Sequence, residues 1–279
     1  MTTTLQLIDP QTLHAHLTDP TWVILDVGRA AVYAQVHLPQ ARWVDRAALM
    51  SGHPDALGSL PDLARLQQMV EQLGLQLDQH IVVYDDEGGG WAGRLLWTLE
   101  VLGFEQLALL DGGIHTWLAA GLPTDSGEVT TSPTTHLTLT PNFAPRIERA
   151  EILQLLAAPL AERPIFWDCR SWEEYCGDRL TARRGGHLPD AVHYEWTSLM
   201  DRERQLRLQP LDQIRQALHE RAIIRQPQPL IVTYCQSHHR SGLSYVVGRI
   251  LGLPIRAYDG GWSEWGNRTD TPIHTGEQP

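Results

Sequence analysis

Ile231-Val232-Thr233-Tyr234-Cys235-Gln236-Ser237-His238-His239-Arg240-Ser241-Gly242 reads as a buried β-strand that ends in a polar, basic loop and opens a helix. A short apolar run bounded by turn-forming residues suits a strand covered on both faces. The same strand occurs 150 residues earlier (235 − 85) as Ile81-Val82-Val83-Tyr84-Asp85. Other landmarks recur in the same order. Ile165-Phe166-Trp167-Asp168 repeats Val23-Ile24-Leu25-Asp26, and His187-Leu188-Pro189-Asp190-Ala191 repeats His37-Leu38-Pro39-Gln40-Ala41. Asp259-Gly260-Gly261 with Trp265 repeats Asp111-Gly112-Gly113 with Trp117. The offsets are 142 (168 − 26), 150 (187 − 37) and 148 (259 − 111), so the chain is an internal duplication with an eight-residue insertion (150 − 142) between Asp168 and His187.

Each copy alternates short apolar strands with amphipathic helical stretches such as Asp62–Gly74, a pattern that predicts parallel pairing with helices on both faces. The expected architecture is two similar α/β domains, residues 1–124 and 145–279, joined by a linker over 125–144. Thr, Ser, Pro and Gly dominate the stretch from Gly121 to Thr135, a composition with little capacity to pack.

The composition bounds the function. With 42% hydrophobic and 20% charged residues in 279, the chain is that of a folded globular protein. Its net charge of −11 repels nucleic acid and anionic membrane, so neither is an expected partner. Neither a secretory leader nor a membrane-spanning segment is expected from the sequence. Three unevenly spaced cysteines (Cys169, Cys176, Cys235) suit neither a disulfide framework nor a zinc site. A cytoplasmic, reduced protein that uses no metal and no cofactor is expected.

Cys235 stands out among the three. At the carboxyl end of a parallel strand, a short loop feeding a helix turns backbone N–H groups inward and adds the positive end of the helix dipole. A cysteine starting such a loop sits in a field that favours thiolate, and Arg240, with His238 and His239, strengthens it. That arrangement suits attack by sulfur on an anionic substrate. Cys169 and Cys176 lack a cationic loop and read as structural. In the first copy Asp85 takes the nucleophile position in an acidic, glycine-rich loop, so that copy is expected to be catalytically inactive.

These features resemble the tandem-domain rhodaneses, over nearly the whole chain. The loop Cys235-Gln236-Ser237-His238-His239-Arg240 is similar to the Cys-Gln-Thr-His-His-Arg loop of the Azotobacter-type bacterial thiosulfate sulfurtransferases. The resemblance implies double displacement: Cys235 takes the outer sulfur of thiosulfate, holds a persulfide, and passes it to cyanide or a thiol. It also implies substrate binding by Gln236, Ser237, His238, His239, Arg240 and Ser241. Many family members place an arginine where this chain has Glu174, and Arg170 is expected to replace part of that contact. Trp196 is expected as a lid over the cysteine. A monomer acting on small-molecule donors and acceptors is expected.

Three alternatives stand beside this one. Mercaptopyruvate could be the donor, although the Cys-Gly-Ser/Thr-Gly pattern of those enzymes is missing. The chain could be a sulfur carrier serving a protein partner. A cysteine phosphatase on a related scaffold needs its arginine six places after the cysteine, whereas here the spacing is five (240 − 235).

Overall fold

Leu66, Met69 and Val70 lie buried at helical spacing, and the Asp62 carboxylate accepts from the Arg65 N–H at 2.9 Å. Burial of one face and a side-chain cap together fix the helix Leu63–Gln72. The same logic runs through a computed structural model that describes residues 4–127 and 134–279. The first half contains, in order, β1 (Thr4–Ile8), α1 (Pro10–Ala15), β2 (Trp22–Asp26), α2 (Ala30–Gln35), β3 (Arg42–Trp43), α3 (Leu63–Gln72), β4 (His80–Tyr84), α4 (Gly90–Val101), β5 (Gln106–Leu110) and α5 (Gly113–Ala119). Its five strands form a parallel sheet in the order β1-β5-β4-β2-β3.

The second half contains α6 (Arg149–Leu156), β6 (Ile165–Asp168), α7 (Trp172–Cys176) and β7 (Val192–His193), then the short antiparallel pair β8 (Met200–Asp201) and β9 (Arg207–Leu208). It continues with α8 (Leu211–Glu220), β10 (Ile231–Tyr234), α9 (Arg240–Ile250), β11 (Ile255–Ala257) and α10 (Gly261–Trp265). Four of these strands form a parallel sheet, β11-β10-β6-β7. This sheet lacks a full counterpart of β1, and a single parallel bridge between Arg146 and Ala257 stands in its place. Two parallel sheets flanked by helices are the architecture that the duplication predicts.

By contacts, the first compact unit comprises residues 1–50, 61–142 and 200–208, and the second 51–60, 143–199 and 209–279. The segments 51–60 and 200–208 therefore group against chain order, which boundaries drawn along the sequence did not anticipate. Of the expected linker 125–144, residues 128–133 lie outside the described residues. Its flanks are bonded: Asp125 and His37 exchange backbone hydrogen bonds at 2.9 and 3.0 Å, and the Thr135 N–H donates to the Glu71 carbonyl at 3.1 Å. Polar composition there serves backbone pairing with turns and helix ends rather than solvent alone. Among the described residues no helix is long and apolar enough to cross a membrane.

Candidate active site

The recurring motifs converge on the carboxyl ends of β4 in the first unit and β10 in the second. In the second, the Tyr234 hydroxyl at the end of β10 accepts from the Leu188 N–H at 3.2 Å. The His187 ring stacks on Tyr175 with centroids 3.7 Å apart, and the Tyr175 hydroxyl donates to the Ala191 carbonyl at 2.8 Å. The first unit repeats this with Tyr84, Leu38, His37, Tyr33 and Ala41 at 3.1, 3.9 and 2.7 Å. The His-Leu-Pro turn is thus a staple between a helix and the strand that carries the loop. The double glycine has an equally local cause. Gly113 and Gly261 have φ of 56° and 54°, and a Cβ at Gly261 would lie 2.6 Å from the Cys235 carbonyl oxygen, while one at Gly113 would collide with that of Asp85.

The first unit reveals what this loop geometry does. Asp85 accepts through Oδ1 from the N–H groups of Glu87 (3.0 Å) and Gly89 (2.8 Å), and through Oδ2 from Ala92 (3.0 Å). A ring of inward N–H groups is filled by the protein's own carboxylate. The next residue, Asp86, is held by Arg29 at 2.5 Å and Arg46 at 3.0 Å.

In the second unit Cys235 occupies the Asp85 position and is fully buried. Its carbonyl accepts from the Trp262 N–H and that of Gln236 from Ser263, both at 2.8 Å. The Thr181 hydroxyl donates to the Gln236 amide oxygen and the Gln236 amide nitrogen donates to the Thr181 backbone carbonyl, both at 2.8 Å, so the insertion braces the loop. The turn passes through His238 at φ 58°, matching Gly88 at 94° in the first unit. A non-glycine residue is rarely stable there; here Nδ1 of His238 lies 2.8 Å from the Ser241 hydroxyl. His238 and Ser241 are buried and shape the loop, whereas Gln236, Ser237, His239 and Arg240 are half-buried.

Arg240 is clasped by Glu174 through two bonds of 2.6 and 3.0 Å. Glu174 is itself fixed by a capping box with Ser171 at the start of α7. Burial works to raise the Glu174 pKa, but the hydrogen bond and charge of Arg240 outweigh it and bring it down to about 2. The sequence marked Glu174 only as a missing arginine; in space its carboxylate anchors the loop's arginine. Trp196 begins the 3-10 turn 196–199, packed near α9, and its N–H donates to the Cys169 carbonyl at 3.2 Å.

Arg170, expected to take up part of a substrate contact, is turned into the interior of the second unit. It is fully buried, bonded to Asp168 at 2.6 to 3.1 Å and to the Gly186 carbonyl at 2.7 Å, beneath Trp262 at 4.4 Å. The reason is Asp168, a buried carboxylate that would otherwise lack a counter-charge.

The first unit places Gly28 at that position, and the consequence falls on Asp26. Burial first, with the charges of Asp85 and Asp86 adding to it, raises its pKa to about 6 against bonds from Tyr84 and Gly28 that lower it. Because the folded value exceeds the unfolded one, this contribution is most favourable at low pH and is lost as pH rises through about 6. Each tenfold weakening of carboxyl ionisation corresponds to about 1.4 kcal/mol, so Asp26→Asn is expected to stabilise the protein by about 2–3 kcal/mol at pH 8. Denaturant titrations should show that gain shrinking toward zero as pH approaches 4.

Comparison with known proteins places this geometry. The family model for the rhodanese-like domain matches residues 9–120 and 149–268. The chain is 42% identical over 269 residues to a thiosulfate sulfurtransferase of Azotobacter vinelandii, covering 96% of each chain. It is 41% identical over 270 residues to a thiosulfate sulfurtransferase of Pseudomonas aeruginosa, again covering 96% of each. Its fold is similar to the crystal structure of YnjE, with a TM-score of 0.85 at 23% identity, covering 98% of this chain and 69% of that one. With two domains that match, and with relatives so similar along almost their entire length, the chain belongs to the rhodanese-like family as a tandem-domain member.

Proposed function

We propose that the protein is a thiosulfate sulfurtransferase in which Cys235 carries the transferred sulfur. The Cys235 thiolate attacks the outer sulfur of thiosulfate, the sulfur–sulfur bond of the donor breaks, and sulfite leaves with the bonding electrons. Cys235 is left as a persulfide. In the second half-reaction cyanide or a thiolate attacks the outer sulfur and returns Cys235 to thiolate.

The observation that carries this reading is the Asp85 carboxylate in its ring of three N–H groups. At the matching position of the second unit, 150 residues on, Cys235 puts a thiol where the first unit has a fixed anion, at the start of the loop that opens α9. A loop that feeds a helix N-terminus offers a place for the negative charge that sulfur carries during transfer. Arg240, neutralised by Glu174, positions the loop, while Gln236, Ser237 and His239 reach the opening and contact donor and acceptor. Trp196, in the turn that follows β7, is the residue we assign as a lid over the cysteine. The first unit, whose ring is already occupied, has no part in the chemistry.

The relatives bearing the name thiosulfate sulfurtransferase favour thiosulfate over mercaptopyruvate as donor. The test is intact mass after brief exposure to thiosulfate and desalting, with peptide mapping. Gain of one sulfur atom on the peptide bearing Cys235, lost on adding cyanide as thiocyanate forms, is the expected result. Sulfur on another peptide, or none, would overturn the reading.

A further inference from the structure

The mechanism above leaves two buried cysteines unused, Cys169 and Cys176, and the first of them stands beside the transfer site. Cys169 follows β6 as Cys235 follows β10, and these strands are parallel neighbours with Tyr234 opposite Asp168. The ladder continues one step, since the Cys169 N–H donates to the Tyr234 carbonyl at 3.0 Å. Cys169 and Cys235 therefore stand side by side at the ends of adjacent strands. Neighbouring strands are about 4.8 Å apart, and disulfides span Cα separations of about 4.4–6.8 Å.

The two side chains also share a face. The Cys169 sulfur lies 3.0 Å from the Thr233 hydroxyl, and Thr233, two residues before Cys235, projects on the same side of the sheet. Helix α9, which the Cys235 loop begins, packs against β10 and β11 of the same sheet. Both thiols are fully buried. A rotation about the Cα–Cβ bond of Cys169 between staggered positions is the movement needed to turn its sulfur toward Cys235.

We propose that Cys169 is a resolving thiol that discharges the Cys235 persulfide when no acceptor arrives, a sulfide-releasing activity built beneath the transfer site. This rests on the reading of Cys235 as the sulfur carrier. The Cys169 sulfur attacks the inner sulfur of the Cys235 persulfide anion and forms a Cys169–Cys235 disulfide. The bond from that inner sulfur to the outer one breaks, and the outer sulfur departs with the electron pair. It takes the proton of the Cys169 thiol and leaves as hydrosulfide. Atoms, charge and electrons balance without an external oxidant, because the persulfide sulfur is the group reduced.

Burial, more than any neighbouring charge, holds the proton on Cys169 and makes its thiolate scarce. Discharge is therefore slow beside transfer to a thiol or cyanide that reaches the outer sulfur from the opening. With acceptor present the enzyme turns over; without it the loaded enzyme empties once and stops as a disulfide, until a dithiol reductant reopens it.

The experiment is anaerobic exposure of the reduced full-length protein to one equivalent of thiosulfate without acceptor, with sulfite, sulfide and intact mass followed over time. The expected course is one equivalent of sulfite at once with gain of one sulfur, then one equivalent of sulfide as the mass falls two hydrogens below the reduced protein. Peptide mapping should find Cys169 joined to Cys235. In Cys169→Ala sulfide release should fall at least about tenfold while the added sulfur stays. Cys176→Ser should behave as the parent. Sulfite release followed by a lasting persulfide in the parent would overturn the proposal and leave the transfer reading intact. Failure to release sulfite at all would instead sink the transfer reading. If Cys169→Ala does not fold, the cross-linked peptide in the parent decides by its presence or absence.

Discussion

Replacing Cys235 with serine is expected to lower turnover of thiosulfate with cyanide by at least about 10⁴-fold, as loss of a covalent nucleophile does elsewhere. Serine keeps the size of the side chain, so folding should be unaffected. What disappears is the chemistry. A hydroxyl is almost never ionised near neutral pH without a base beside it, and sulfur is the more acidic and more nucleophilic of the two atoms. Oxygen also cannot hold the transferred sulfur as a persulfide. Steady-state rates of the two proteins, checked by circular dichroism for equal folding, decide the matter. Residual turnover above about one per cent would move the role to Cys169 or Cys176, because catalysis left after such a loss falls far below that level.

Arg170→Met should destabilise the second unit by about 3–5 kcal/mol, the cost of breaking a buried ion pair from one side. Neither residue of the pair is exposed at all. Burial alone would lower the Arg170 pKa, yet the bonds and charge of Asp168 raise it, so the guanidinium stays charged. Methionine fills similar volume but leaves the Asp168 carboxylate beside Tyr234 without a counter-charge. It also removes the bond of 2.7 Å that holds Gly186 at the end of the insertion. Urea denaturation measures the loss. Asp168→Asn added to Arg170→Met should recover part of it, since the stranded charge goes with the carboxylate. A loss below about 1 kcal/mol would mean that Asp168 finds water once its partner is gone.

Much of this molecule was readable because its motifs are local. The second glycine of each Asp-Gly-Gly is required by a carbonyl that leaves no room for a Cβ, and the His-Leu-Pro turn by a histidine stacked on a tyrosine of the preceding helix. Such constraints act on single positions and leave a mark at each copy. The parallel strands were legible for the same reason, being apolar on both faces. The pairings that set charge were not. Glu174 and Arg240 are 66 residues apart, and no spacing rule connects them. Arg170 looked available because an arginine near a strand end is ordinarily at the surface; only the burial of Asp168 turns it inward. The allegiance of 51–60 and 200–208 is likewise a matter of long-range contact, invisible to a reading along the chain.

The filled ring at Asp85 says something about how a duplicated domain can grow old. After duplication, selection for chemistry relaxes on one copy, but the inward N–H groups of Glu87, Gly89 and Ala92 remain and must be satisfied. An apolar residue at 85 would strand them, at about 1–3 kcal/mol for each unmet buried group. A carboxylate gives up the reactive atom and keeps the anion. The position is thus narrowly specified: of the side chains that could stand at 85, a short acceptor able to reach all three amides at once leaves the loop standing.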